Sequence, residues 1–316
     1  MSELNIYILI LVACVIYLNT GFAFKAKGTS IAGHDNLLII EQLTAKSSKP
    51  KNYRTAPGSY ASYGYNVEGN ILGEKATFKY TFPFTNKGNV TFQTEISTSE
   101  MSGLVSGFGV HSSCFAPVSD GYYALQTTDS TYLHEHMNRD GFFYRSNQTY
   151  DYGVDYNEII RLSVNLSKEI ATFIVQELGS NDSYDNRVMA ALNFVQFIPY
   201  GQPNFNAGEY SYFGVSMPHE SFVISYSDCD SKSVLFCGIL QELIENASEN
   251  IIMVYCTMQE VHHMIVGVHG LNFPGRTHIH NGKPYLLLET TSPISLEKQQ
   301  QINFENIHVY NLRFHG

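Results

Sequence analysis

The sequence predicts an α+β protein in which an antiparallel β-sandwich domain precedes a domain with helices first and strands afterwards. Between residues 58 and 149 apolar and polar residues alternate with period two, most clearly in the run that contains Phe78, Tyr80, Phe82 and Phe84. Such alternation is typical of strands that bury one face. From about residue 155 apolar residues recur at helical spacing, and strand-like runs return after residue 251. This order favours an α+β domain.

The length and composition are compatible with two modest domains. The 316 residues are 44% hydrophobic and 15% charged and include 22 Tyr and 20 Phe, which is typical of β-rich exported proteins. We expect domains at residues 58–150 and 151–316, with residues 25–57 as a linker or a loosely packed first strand. The net charge of −10 argues against nucleic acid as a partner.

Residues 1–24 contain an almost wholly apolar stretch that begins at Ile6 and ends at Phe24. A small-x-small pattern that ends at Ala23 is typical of a signal-peptide cleavage site. About 20 apolar residues are also enough to span a bilayer. The segment therefore predicts export, as a secreted, periplasmic or cell-surface protein. If it is not cleaved, it predicts membrane anchoring.

Cys229 lies where a turn-like run becomes a helix. From Val234 onwards the apolar residues recur at helical spacing, and Asp228 is a good N-cap residue. The free N–H groups and the positive dipole end at a helix start favour a thiolate, which is the better nucleophile, whereas the flanking Asp228 and Asp230 oppose ionisation. The alternative is a structural cysteine at a helix start.

Two later runs bring a histidine and a carboxylate to neighbouring strands. The run V-H-H-M-I-V-G-V at residues 261–268 predicts a strand on which His263 shares a face with Ile265. The run K-P-Y-L-L-L-E-T-T-S-P at residues 283–293 predicts the next strand, and it contains Glu289. Turn residues separate the two, so we expect antiparallel neighbours. Cys229, His263 and Glu289 then form a nucleophile, a base and an orienting acid.

The runs D-C-D-S-K-S-V-L-F, H-M-I-V-G-V and Y-L-L-L-E-T-T resemble the transglutaminase-like superfamily of cysteine enzymes. The upstream runs A-L-N-F-V-Q-F-I-P-Y and P-H-E-S-F resemble its bacterial branch, and the resemblance covers roughly residues 155–295. It implies a papain-like domain with a Cys-bearing helix packed on an antiparallel sheet. It assigns Cys229 as nucleophile, His263 as base and Glu289 as orienting acid. On the same ground, Gln196 is a candidate oxyanion donor, in addition to the Cys229 backbone N–H. The chain departs from the family pattern in its Ser before Asp-Cys, in Glu as the acid and in having no Trp.

A triad of this kind acts on amide bonds. Cys229 would attack a carbonyl to form an acyl-enzyme, and His263 would take the thiol proton and return it to the leaving amine. Water as second substrate gives a peptidase or amidase, a Lys amine gives a cross-link, and the sequence leaves both open. The expected substrate is a protein or peptide, with no cofactor. The alternative is a non-catalytic exported binding or structural protein with a degenerate domain of this type.

The remaining histidines and cysteines indicate neither a metal nor a definite disulfide. Two His-x-His pairs occur, at His134 with His136 and at His278 with His280. A zinc site needs three or four ligands, so we expect surface histidines. Cys237 and Cys256 are predicted either as a disulfide or as two buried thiols.

Overall fold

The structure is a computed structural model. It describes residues 51–53, 66–72, 75–84, 87–97, 110–111, 115–117, 123–125, 143–145, 152–200, 210–211, 217–219, 221–222, 227–258 and 261–314. Within these ranges the chain is α+β, with helices and antiparallel sheets, as the sequence predicts. The predictions for residues 1–24 and for His134 and His136 lie outside the described residues. In the part of the chain that is described, no helix is long and apolar enough to cross a membrane.

Four antiparallel strands form the first sheet in chain order. They are β1 (Lys51–Tyr53), β2 (Asn66–Leu72), β3 (Lys75–Phe84) and β4 (Gly88–Ser97). Alternate residues of β3 are buried, as its period-two pattern predicts: Ala76, Phe78, Tyr80, Phe82 and Phe84. Six short strands follow and pair two by two, β5 with β10, β6 with β7 and β8 with β9. Their bounds are β5 (Val110–His111), β6 (Phe115–Pro117), β7 (Tyr123–Leu125), β8 (Phe143–Arg145), β9 (Tyr152–Val154) and β10 (Tyr210–Ser211).

In the described residues, the buried face of the first sheet packs on helices. The Tyr80 hydroxyl donates a hydrogen bond of 2.7 Å to the Phe194 carbonyl, and the two rings meet edge to face at 4.9 Å between centroids. Phe92 and Phe173 make a second edge-to-face contact at 5.5 Å. These contacts join the sheet and the helices in one hydrophobic core. The described residues therefore do not confirm a separate β-sandwich domain, and the boundary near residue 150 stays a prediction.

In the described part of the chain, three helices with defined bounds precede the cysteine: α1 (Tyr156–Leu162), α2 (Val164–Leu178) and α3 (Tyr184–Gln196). The side chains of Asp155 and Ser183 cap α1 and α3 by accepting backbone N–H groups. Helix α3 ends three residues before Pro199, which cannot continue a helix.

The helix that begins at the cysteine, α4 (Cys229–Leu243), is the centre of the fold. It contacts α1, α2 and α3 and the sheet strand that contains His263. All residues from 231 to 240 are buried, so the helix is enclosed on every side. A Cβ at Gly238 would lie 2.6 Å from Ser167 Oγ, so glycine permits the close approach of α2 and α4. The Asp228 side chain caps the helix through the Ser231 N–H at 3.0 Å.

The second sheet has five antiparallel strands in the order β13-β14-β12-β11-β15. The elements from here to the C-terminus are α5 (Ala247–Asn250), β11 (Ile251–Met258), β12 (Val261–His269), β13 (Thr277–His280), β14 (Lys283–Leu288), α6 (Leu296–Gln299) and β15 (Phe304–Asn311). Met264 and Val266 lie in the core shared with α4, whereas Ile265 belongs to a smaller cluster. Cys237 lies in the shared core and Cys256 in the smaller cluster, and both thiols are free. Of the two predicted alternatives, Cys237 and Cys256 are therefore two buried thiols and not a disulfide.

Candidate active site

His263 and Glu289 form a buried pair. The His263 Nε2 lies 2.6 Å from the Glu289 Oε2, and the side chains are 7% and 2% exposed. Strand β12 pairs antiparallel with β14, with Val266 opposite Leu288, so Glu289 follows the last paired residue. Because side chains alternate between the two faces of a strand, His263 and Glu289 lie on the same face of the sheet, as diagonal neighbours. The meeting of these two residues, predicted from the sequence, is confirmed.

The environment of the pair favours its charged form. Burial opposes an imidazolium at His263, but the Glu289 carboxylate, its hydrogen bond and the Asp230 carboxylate together raise the pKa of the ring. Burial likewise opposes a carboxylate at Glu289, but the charge and hydrogen bond of His263 and the bonds from Thr291 lower its pKa. The pair can therefore hold a positive imidazole in a buried place.

Several groups fix the Glu289 carboxyl and its backbone. The Thr291 N–H donates to Oε1 at 2.7 Å, and the Thr291 hydroxyl donates to the same atom. The Glu289 N–H donates to Gln299 Oε1 at 3.0 Å. Gln196 Nε2 donates to the Glu289 carbonyl at 2.7 Å. The acid is thus held in one orientation. Gln196 contacts the acid's segment, and its oxyanion role stays a prediction.

Cys229 is the first residue of α4 and is partly exposed. Its thiol donates a hydrogen bond of 3.2 Å to Asp230 Oδ1, and the Met264 backbone N–H bonds to the sulfur. Strand β14 pairs with β12 only from Val266 onwards. Met264 precedes this paired part of β12 and contacts the start of α4. The sulfur therefore lies beside the strand at the residue next to His263. Among the described contacts, no hydrogen bond joins the sulfur to the His263 ring.

The surroundings of Cys229 favour the neutral thiol. Burial and the carboxylates of Asp230 and Asp228 raise the pKa of the Cys229 thiol well above its usual value, and the Met264 N–H opposes them only in part. The helix-start position does favour a thiolate. Burial, the largest of these causes, and the neighbouring acids outweigh it, so the neutral thiol is favoured.

Asp230 is a component of the site that the sequence analysis treated only as an opposing charge. Its second oxygen, Oδ2, accepts a hydrogen bond of 2.9 Å from the Tyr156 hydroxyl. Burial raises the pKa of Asp230, whereas the bonds from Cys229 and Tyr156 and the charge of His263 lower it. The adjacent acid in D-C-D was the available signal. Tyr156 had no local signal, because it is 74 residues away along the chain.

Lys232 is a second residue of the site for which the sequence carries no local signal. It lies one turn after Cys229 and is fully buried. Its Nζ donates to the carbonyls of Thr291 at 2.8 Å and Gln196 at 3.4 Å, and also to the Ile198 carbonyl. Burial lowers its pKa to about 7, against the carboxylates of Glu289 and Asp228, which favour the ammonium. The lysine ties the end of α3 to the segment that follows Glu289.

The remaining candidates lie away from this cluster. His278 and His280 belong to β13, at the edge of the sheet, and His280 Nε2 contacts Asn311 Oδ1 at 2.8 Å. Within the described residues no group of three or more His, Cys, Asp or Glu side chains could hold a metal ion. The side chain of His262 lies outside the described residues.

Comparisons of this chain with protein-family models, with curated proteins and with solved structures find no match. The resemblance to the transglutaminase-like superfamily rests on the sequence runs quoted above.

Proposed function

We propose that this chain is a thiol-dependent acyl-transfer enzyme that acts on amide bonds of proteins or peptides and is related to the transglutaminase-like superfamily. Cys229 is the nucleophile, His263 the base and Glu289 the acid that orients it. The proposal includes both hydrolysis, as in a peptidase or amidase, and transfer to an amine, as in protein cross-linking. It also includes export, by way of residues 1–24.

The observation that supports this proposal is the buried His263–Glu289 pair of 2.6 Å, together with a hydrogen bond to the Cys229 sulfur from Met264, the residue after His263. A nucleophile, a base and an orienting acid in this relation recur on unrelated folds. A neutral imidazole that donates from Nε2 to Glu289 has its lone pair on Nδ1. Nδ1 is therefore the atom that would take the thiol proton.

The neutral resting thiol determines how the reaction would begin. At a pH above the raised pKa of its ring, His263 is neutral and would act as a general base, removing the proton from Cys229 as the sulfur attacks the substrate carbonyl. The imidazolium so formed would be stabilised by Glu289, and its proton would pass to the leaving amine. The C–N bond breaks, a thioester to Cys229 remains, and water or a second amine then releases the acyl group.

The neutral thiol is also the observation that favours the alternative. A cysteine whose thiol donates to Asp230 and whose pKa is raised resembles an inert structural thiol. In that case the chain is an exported binding or structural protein that has a degenerate domain of this type.

Formation of an acyl-enzyme distinguishes the two. Purified protein is incubated with casein, with and without a dansylated primary amine, and with a small panel of activated thioester and ester donors. We expect an acyl adduct on the Cys229 peptide by mass spectrometry, together with new amino termini or amine incorporation. Cys229→Ser should lack the adduct, and His263→Ala should form it far more slowly. A folded wild-type protein that forms no adduct with any donor would favour the non-catalytic alternative.

A further inference from the structure

The only carboxylate that contacts the sulfur in the described residues is that of Asp230. Its Oδ1 lies 3.2 Å from the Cys229 Sγ, and its Oδ2 is held at 2.9 Å by the Tyr156 hydroxyl. A carboxylate fixed at both oxygens keeps one position relative to the sulfur. Any group that bonds to the sulfur must therefore approach this charge closely.

Exposure separates Asp230 from the other charged groups of the site. Cys229 and Asp230 are partly exposed. The remaining ionisable side chains of the cluster are buried: Asp228, Lys232, His263 and Glu289. Among the described residues of the cluster, Cys229 and Asp230 are therefore the least enclosed.

Of the buried ionisable groups, His263 and Glu289 form a pair, and burial raises the pKa of Asp228 to about 8, which favours its neutral form near neutral pH. Glu289 faces His263 at 2.6 Å, and Lys232 lies close enough to Glu289 and Asp228 for their carboxylates to favour its ammonium. Among the described residues, the groups within hydrogen-bond distance of Asp230 are neutral, the thiol and the phenol, and the charge of His263 acts on it without a hydrogen bond. When the thiol proton leaves, the carboxylate loses one of these donors and can accept another.

We infer that Asp230 binds the amine side of the substrate, so that the site selects primary amines that are positively charged in solution. In the direction of amide cleavage, the sulfur bonds to the carbonyl carbon and the C–N bond breaks. The leaving nitrogen takes the proton from His263 and then a proton from water, and the resulting ammonium pairs with Asp230. In the reverse direction, an ammonium bound at Asp230 loses a proton to neutral His263, and the resulting amine attacks the thioester. The C–S bond then breaks, the departing sulfur takes the proton back from His263, and the nitrogen loses its second proton to water. The inference rests on the proposed function and specifies the class of its amine partner.

The test uses three thiol reagents of matched chemistry and different charge on the full chain. They are the trimethylammonioethyl, sulfonatoethyl and methyl methanethiosulfonates, which form a mixed disulfide with the thiolate and release methanesulfinate. Labelling of the Cys229 peptide is timed by mass spectrometry at one fixed alkaline pH. The quantity compared is the ratio of the cationic to the anionic labelling rate. The thiolate fraction affects both rates equally, so the ratio does not depend on the thiol pKa.

We expect the ratio to fall by about tenfold in Asp230→Asn, because one unit charge within a few ångströms attracts one reagent and repels the other. The matched control, Tyr156→Phe, retains the charge and removes one hydrogen bond, so its ratio should stay within about twofold of wild type. Raising the salt concentration to about 1 M should lower the wild-type ratio, and this measurement needs no variant.

A ratio that is the same in wild type and Asp230→Asn overturns the inference. If Asp230→Asn does not fold, a wild-type ratio that does not change with salt overturns it. Failure of the proposed function is a separate result, because it is the absence of an acyl adduct at Cys229, whereas the charge ratio is measured without turnover. Failure of all three reagents to label a folded protein overturns both.

Discussion

The His263 Nε2 lies 2.6 Å from the Glu289 Oε2, with both side chains buried. Thr291 donates to the Glu289 carboxylate, Gln299 accepts from the Glu289 backbone N–H, and Gln196 donates to the Glu289 carbonyl. A pair fixed in this way stabilises one orientation and one tautomer of the imidazole. That relationship gives the most direct test of the catalytic proposal.

Replacing Glu289 by Gln should reduce kcat/KM by roughly a thousandfold or more, because the amide stabilises neither the Nε2–H tautomer nor the imidazolium. The amide oxygen can still accept from Thr291, so the fold should remain. The measurement is kcat/KM for an acyl donor that wild type processes, with circular dichroism as the test of folding. Glu297→Gln, at an exposed acid on α6, is the matched control and should keep wild-type activity. Equal activity in Glu289→Gln and wild type would contradict the role of the acid.

The same pair should stabilise the fold in a defined pH range. The pKa of His263 is raised above its usual 6.5, so its contribution is complete below pH 6.5 and is lost as pH rises through the folded-state pKa. The pKa of Glu289 is lowered below 4.5, so its contribution is present above pH 4.5 and is lost as pH falls through the folded-state pKa. The pair therefore contributes most between pH 4.5 and 6.5.

Thermal unfolding of wild type and Glu289→Gln from acid to alkaline pH checks this range. The difference in Tm should be largest in the window and should become smaller on both sides of it. A difference that grows steadily as pH rises above neutrality would show that the imidazole is not charged in the folded state.

Local signals predicted the parts of the site that are defined by local geometry. The N-cap Asp228 marks the start of α4, and period two places His263 and Glu289 on one face. The contacts that could not be predicted from the sequence join segments that are far apart along the chain. The Tyr156 hydroxyl donates to Asp230 from 74 residues earlier in the chain. The Lys232 ammonium donates to the backbone carbonyl of the last residue of α3. A lysine on a helix is usually solvent-exposed, so its burial required knowledge of the acceptors around it.

The same limit applies to the first sheet. Alternation in β3 correctly predicts that one face is buried. The alternation does not specify what covers the buried face. A second sheet or a layer of helices could cover it equally well. In the described residues the covering side chains include Phe173 and Phe194, which belong to helices.

Replacing Lys232 by Met should destabilise the fold by about 2–4 kcal/mol, because three buried carbonyls lose their donor while the methionine fills most of the volume. Urea unfolding measures the free energy directly. Lys168→Met, at an exposed lysine on α2, is the control and should change stability by less than about 0.5 kcal/mol. If Lys232→Met is as stable as wild type, the ammonium makes no net contribution and the three contacts do not hold α3 to the segment after Glu289.

The final prediction concerns the ionisation of Cys229. Burial, Asp230 and Asp228 raise its pKa, so alkylation by iodoacetamide should rise only above the usual thiol range of roughly 8.5. Asp230→Asn removes the nearest of these charges and should move the rise to lower pH. Tyr156→Phe retains the charge and should shift the curve far less. Peptide mapping assigns the label to Cys229, and the fully buried Cys237 and Cys256 are expected to react slowly. A wild-type rate that is constant through neutral pH and that His263→Ala abolishes would instead establish a preformed thiolate–imidazolium pair. In that case the neutral resting thiol, and the general-base start of the reaction, would be wrong.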